Sequence, residues 1–125
     1  LDPIYQEIRR VLEEEMDYEL ELKKHKQYEQ LLREVPNCYV PKLYPQYSTP
    51  GIIASEFIEG ITLGAAGSLP QEERNKIGVA LFRLFLQEIF RGHLIQTDCH
   101  PGNFLYRPGQ IVLLDFGACL RFPEE

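Results

Sequence analysis

Gln96-Thr97-Asp98-Cys99-His100-Pro101-Gly102-Asn103, with Asp115-Phe116-Gly117 a short way downstream, is the stretch on which the reading of this chain turns. Asn103 follows Asp98 by five residues, and Asp115 follows Asn103 by twelve. Between them, Phe104-Leu105-Tyr106 and Ile111-Val112-Leu113-Leu114 read as two short apolar strands. Arg107-Pro108-Gly109-Gln110 has the chemistry of a tight turn, because Pro fixes φ and Gly tolerates φ > 0. A hairpin here folds Asp115 back beside Asp98 and Asn103 and gathers three oxygen donors round one small volume.

Phosphoryl transfer calls for such a set. One carboxylate orients or deprotonates the attacking hydroxyl, while an Asn carbonyl and a second carboxylate hold Mg²⁺ against nucleotide phosphates. The D-x-x-x-x-N and D-F-G pairing resembles the catalytic-loop and metal-loop signature of protein-kinase-like folds. Either half alone is weak, since D-x-x-x-x-N arises often by chance. The two together, at hairpin spacing and flanked by apolar runs, are specific. The plain alternative is an exposed turn in which Asp98 caps a loop and Asp115 ends a strand.

At 125 residues the chain is one domain or part of one, and 44% hydrophobic with 26% charged residues is enough to build a core. The net charge of −6, with no dense Lys/Arg block, argues against a nucleic-acid surface. No apolar run approaches the roughly 18 to 20 residues of a membrane span. No targeting signal can be read at the N-terminus. Cys38, Cys99 and Cys119 are odd in number and lack C-x-x-C spacing, which fits a reducing, intracellular compartment and disfavours zinc. Cys99 has no evident His base and reads as packed rather than nucleophilic.

From the start, Asp2-Pro3 opens a helix, and Ile4, Ile8, Leu12, Met16 and Leu20 recur every four residues. The pattern continues through Tyr28, Leu31, Leu32 and Val35 until Pro36. One helix of that length would run about 48 Å at roughly 1.5 Å per residue, so two segments are expected, with a break within residues 13–17. The acidic run there supplies favourable charge for the start of the second. Periodicity makes most of these carboxylates, and His25, simply exposed. Strands are expected near 39–43 and 52–58. A capping box with an early Pro at Ser68-Leu69-Pro70-Gln71 predicts a helix over 70–91 with a broad apolar stripe and Gly92 as its terminator. His93, Asp98 and His100 do not make a convincing transition-metal cluster.

At these residues the chain resembles the UbiB/ADCK (aarF-domain-containing kinase) family of atypical kinase-like ATPases. Glu15-Met16-Asp17 matches the family's E-x-D motif, and Gln96-Thr97-Asp98 through Asn103 and Asp115-Phe116-Gly117 match its loops. The likeness spans roughly residues 15–121. It implies an α+β, protein-kinase-like fold, ATP with Mg²⁺ as cofactors, and a role supporting biosynthesis of ubiquinone or related isoprenoid quinones. Carried over by position, Asp98 is the catalytic-loop Asp, and Asn103 and Asp115 are the metal ligands. Glu21 matches the helix Glu that pairs with the nucleotide-binding Lys. Glu15 and Asp17 match the pair that contacts the family's extra N-terminal helices. In such a fold the backbone of Glu56, Phe57 and Ile58 forms the hinge that meets adenine; the plain alternative is a buried strand leading to a loop.

Parts of that pattern are missing. No Gly-rich or Ala-rich phosphate loop precedes the helix, no Lys lies on a suitable third strand, and the family's K-x-G-Q segment is not seen. The sequence therefore reads as an interior fragment of one kinase-like domain. Residues 1–59 are the remainder of the N-lobe, with an αC-type helix, up to the hinge, and residues 60–125 are the start of the C-lobe. The fragment alone is expected to be inactive. Implied partners are the nucleotide and, through the full-length protein, a quinone or lipid precursor and a membrane surface. The implied setting is the bacterial cytoplasm or inner-membrane periphery, or the mitochondrial matrix. Two other readings remain open: an aminoglycoside/choline-type phosphotransferase, where D-x-H-P-G-N also occurs, and a nucleotide-binding pseudokinase scaffold.

Overall fold

The structure, a computed structural model, describes residues 2–97, 100–115, 119–121 and 123. Two helices come first, α1 (Asp2–Glu15) and α2 (Tyr18–Leu32). They break at Met16 and Asp17, inside the expected window, because Asp17 leaves the helix to cap the next one. Its extended backbone lets the carboxylate accept the Glu19 and Leu20 N–H groups at 3.0 and 3.3 Å, satisfying donors that every helix start leaves open.

The two helices are used differently. α1 exposes Ile4, Tyr5, Ile8, Val11 and Leu12, so its four-residue repeat marks a face with no neighbour among the described residues. α2 turns Tyr28 and Leu32 into the core, and with them His25. His25 was expected to be exposed. It is instead buried because its Nε2–H donates to the Pro41 carbonyl at 2.6 Å, giving a polar ring a partner away from water. α2 stops at Leu32, short of the expected Pro36, and Asn37 at φ 68° takes the left-handed turn that redirects the chain.

Among the described residues, six strands form two sheets: β1 (Cys38–Tyr39), β2 (Ile61–Thr62), β3 (Leu94–Gln96), β4 (Phe104–Arg107), β5 (Gln110–Leu113) and β6 (Cys119–Arg121). The larger sheet runs β1-β5-β4-β2, and the smaller pairs β3 with β6 antiparallel. The expected hairpin is β4–β5, with Arg107 opposite Gln110 and only Pro108 and Gly109 between them. Gly109 sits at φ +78°, where a side chain would be strained. β4 alternates, burying Phe104 and Tyr106. β5 is central, covered on both faces, and buries Ile111, Val112 and Leu113 without alternation. Burial of side chains of this size stabilises the fold by about 1.5–3 kcal/mol each.

Two expected strands are shorter than the sequence suggested. Residues 38–39 form the ladder, but Pro41 and Pro45 lack N–H donors, and between them only a Leu43↔Ser55 bridge forms. Residues 52–58 run extended and touch their neighbours through single bridges at Ile52 and Ser55 rather than as a strand. Between Ile52 and Thr49 the chain merely turns back on itself.

The long helix α3 (Gln71–Gln87) buries Ile77, Ala80 and Leu84. Its opening differs from the expected capping box, since Pro70 is the cap and the Ser68 hydroxyl donates to the Ala65 carbonyl instead. Its close differs too. The α-helix widens into a π-turn over Glu88–Gly92, and His93 (φ 48°), not Gly92, adopts the left-handed conformation. Gly92 is closely packed instead: a Cβ there would meet the Leu31 side chain at 3.0 Å, so that leucine would have to give. No helix among the described residues is long and apolar enough to cross a membrane.

Candidate functional site

Asn103 closes a single 3₁₀ turn, Pro101–Asn103, at the mouth of the β4–β5 hairpin. His100 shapes that turn from both ends. Its carbonyl accepts the Asn103 N–H at 2.9 Å, and its Nδ1 accepts the Gly102 N–H at 3.0 Å. Gly102 is required by that packing, because a Cβ would lie 2.9 Å from the His100 ring nitrogen.

Asp115 leaves the far end of the hairpin. The Leu114 N–H donates to the Asn103 carbonyl at 2.9 Å, which ties the two loop positions side by side. From β3, the Gln96 side-chain amide donates to the Asp115 carbonyl at 2.9 Å. Asp115 is exposed and Asn103 half-buried. The structure thus sets the backbones of two residues side by side, Asn103 with its side-chain amide oxygen and Asp115 with its carboxylate. Both are hard oxygen donors, the kind Mg²⁺ takes, so this pair fits that ion. No cluster of three or more His, Cys, Asp or Glu side chains placed for a metal occurs among the described residues. Asp98, the third member of the expected set, lies outside the described residues, as do Phe116 and Gly117.

Glu21 projects from α2 into the same neighbourhood. Burial holds its carboxyl above the ordinary value, and the Asp115 charge adds to this, while Lys24 and His25 oppose it. Asp17 is exposed and serves as the α2 cap. The side chain of Glu15 lies outside the described residues.

The three hinge candidates part ways. The Glu56 N–H donates to the Lys42 carbonyl at 2.8 Å. The Glu56 carboxylate accepts from the Tyr39 hydroxyl at 2.6 Å and the Lys42 N–H at 3.1 Å, and the Tyr39 bond does most to lower its pKa. Phe57 is 86% exposed, whereas Ile58 is buried.

Sequence reasoning passed over Glu88 and the role of Gln96. Glu88 is 4% exposed at the start of the π-turn and accepts from the Tyr28 hydroxyl of α2 at 2.7 Å. The Gln96 N–H also donates to it. A signal existed: Glu88 follows Leu84 by four residues, which places a carboxylate on the buried stripe of α3.

The profile of the ABC1 atypical kinase-like domain matches residues 1–125. Zebrafish (Danio rerio) mitochondrial atypical kinase COQ8B is 39% identical over 94% of this chain and 19% of that protein. Mitochondrial atypical kinase COQ8 of Saccharomyces cerevisiae is 37% identical over 100% of this chain and 25% of that protein. Among solved structures, a complex of Rv3197 with erythromycin from Mycobacterium tuberculosis superposes with a TM-score of 0.82 at 30% identity. That match covers 96% of this chain and 31% of the other.

Proposed function

This chain belongs to the ABC1 atypical kinase-like family, and from that premise we propose that it carries the hinge and metal-loop portion of an ATP- and Mg²⁺-dependent phosphotransferase or ATPase. The chain spans 19% and 25% of the two COQ8 relatives, so the activity belongs to the full-length protein. The observation that carries the reading is the clasp at the hairpin mouth, where Leu114 bonds to Asn103 and Gln96 bonds to Asp115. It holds two oxygen-donor residues next to one another at the positions of the D-x-x-x-x-N and D-F-G motifs.

In this proposal Asn103 and Asp115 hold Mg²⁺, and the ion, when bound, neutralises charge on the nucleotide phosphates. Asp98 orients the attacking hydroxyl or water. Glu21, whose carboxyl is disfavoured as an anion here, receives a nucleotide-binding lysine, which would relieve that cost. The hinge duty falls on the backbone after Glu56, since the Glu56 N–H is already donated to Lys42. Glu15 and Asp17 are assigned to contacts with further N-terminal helices.

The COQ8 names support a role in making ubiquinone or a related isoprenoid quinone, with a quinone or lipid precursor at a membrane surface as partner. The mitochondrial names among the relatives support the mitochondrial matrix side, or the inner-membrane periphery in a bacterium. The deciding experiment is Mg²⁺-dependent ATP turnover by the full-length protein, with and without quinone-precursor analogues. Turnover stimulated by the analogues supports the reading. Nucleotide binding without turnover favours the pseudokinase scaffold, and phosphorylation of an aminoglycoside or choline favours that other branch.

A further inference from the structure

Glu88 is a carboxylate placed where an apolar residue would be simpler. It sits on the buried stripe of α3 and borders a cavity of about 350 Å³ whose other walls include Leu84, Phe85, Pro101 and Phe104. Burial raises its pKa, and the Tyr28 hydroxyl and Gln96 N–H oppose that shift. A buried carboxylate is costly to keep unless its partners need it.

Its partners are informative. Tyr28 lies on α2, seven residues or about two turns beyond Glu21, and its hydroxyl reaches the Glu88 Oε1 at 2.7 Å. Gln96 ends β3, and it is held at both ends: its backbone N–H on Glu88, its side-chain amide on the Asp115 carbonyl at 2.9 Å. The π-turn makes this possible, because Glu88 opens the widened segment Glu88–Gly92 that leads directly into β3. Neither bond from Glu88 touches the proposed metal ligands themselves.

We infer that Glu88 is a positioning residue, whose carboxylate joins Tyr28 of α2 to Gln96 of β3 and so fixes the loop that presents Asp115. The inference rests on the assignment of Asp115 to Mg²⁺ made above. Outer partners that orient a ligand commonly change metal affinity or activity by about 10–100-fold when removed. Glu88 acts one bond further out, so the lower end of that range applies.

The test uses the full-length protein and three variants, Glu88→Ala, Glu88→Gln and Tyr28→Phe. The readouts are the Mg²⁺ concentration for half-maximal ATP turnover, the ATP affinity and the melting temperature. Glu88→Ala is expected to raise the Mg²⁺ requirement about tenfold. Glu88→Gln keeps an acceptor for both donors and should stay within about twofold of wild type. Tyr28→Phe should fall between them. A purely structural role would lower the melting temperature while leaving the Mg²⁺ requirement of the folded fraction unchanged in all three, and that result overturns the inference. Should Glu88→Ala fail to fold, the Gln and Phe variants carry the comparison, and identity of both with wild type overturns it as well. Wild-type protein that neither binds nor hydrolyses MgATP would instead remove the nucleotide reading, and this inference with it.

Discussion

Glu21 on α2 and Asp115 at the end of the hairpin are two carboxylates that oppose one another, and the Asp115 charge, after burial, helps hold the Glu21 carboxyl above its ordinary value of 4.5. A helix in the first third of the chain and a loop in its last tenth therefore meet at one electrostatic site. Such like-charge placement is unfavourable by itself and becomes useful once cations arrive.

Replacing Glu21 by Gln should have opposite effects on stability and on activity. A carboxyl whose folded pKa is raised disfavours the fold once ionised, so this penalty is absent well below pH 4.5 and sets in as pH rises through the raised value. Thermal melts of the 125-residue chain should show Glu21→Gln more stable than wild type at pH 7, with the difference closing at pH 4. In the full-length protein the same change should lower ATP turnover about tenfold or more, because an electrostatic partner of the nucleotide-binding lysine is lost. Equal melting curves at pH 7 would show that the two carboxylates do not interact.

Asp115→Asn and Asp98→Asn should separate. The first removes a charge assigned to Mg²⁺ and should weaken MgATP binding about tenfold or more in the full-length protein. The second should leave binding nearly intact and reduce kcat by about 10²–10⁴-fold. Titration with MgATP checks the division, and equal losses of affinity from both changes would argue against it.

Cys38 is the cysteine to watch with pH. Burial, helped by the Glu88 charge, pushes its thiol from 9.0 up to about 11. Only the thiolate is nucleophilic, so alkylation of folded protein at Cys38, followed site by site by mass spectrometry, should be slow at pH 8 and climb steadily past pH 10. The same shift lowers stability as pH rises from 9.0 towards 11, because the folded state resists losing that proton. A Cys38 that reacts at pH 8 as fast in folded as in denatured protein would contradict its buried placement.

The 125-residue chain alone should hydrolyse no measurable ATP and should self-associate. α1 presents Ile4, Tyr5, Ile8 and Leu12 to solvent, and α3 presents Val79, Phe82 and Phe85, with Phe90 close behind. Apolar surfaces of that kind mark contacts with other polypeptide. Gel filtration at increasing concentration should show a growing average size. A monomer at all concentrations that turns over MgATP at the full-length rate would overturn both expectations.

Local chemistry made much of this fold readable. The Pro108-Gly109 pair announced the hairpin, and the acidic break before Tyr18 announced a second helix, since turns and caps depend on residues a few positions apart. What the sequence concealed depends on distant partners. His25 looked exposed until the Pro41 carbonyl supplied its bond. Residues 52–58 had the composition of a strand but pair only through isolated bridges at Ile52 and Ser55, so no ladder forms. At the site, the adjacency of Asn103 and Asp115 followed from the hairpin, whereas Glu88 needed Tyr28, from far earlier in the chain, before its burial made sense.

The pairing of β1 with β5 has a mechanical consequence. Cys38↔Ile111 and Tyr39↔Val112 join parallel partners, one from the helical first half and one from the hairpin, and the Ile111 N–H reaches back to the Asn37 carbonyl at 2.7 Å. β5 is locked in the core, with Val112 and Leu113 fully shielded, so this short ladder ties the first half of the chain to a buried strand of the second. A tilt of α2 about this ladder would act as a lever does on its fulcrum. Glu21 sits out along the moving arm and Tyr39 at the pivot. A small tilt would thus change the spacing between Glu21 and Asp115 while leaving the Tyr39↔Val112 register untouched.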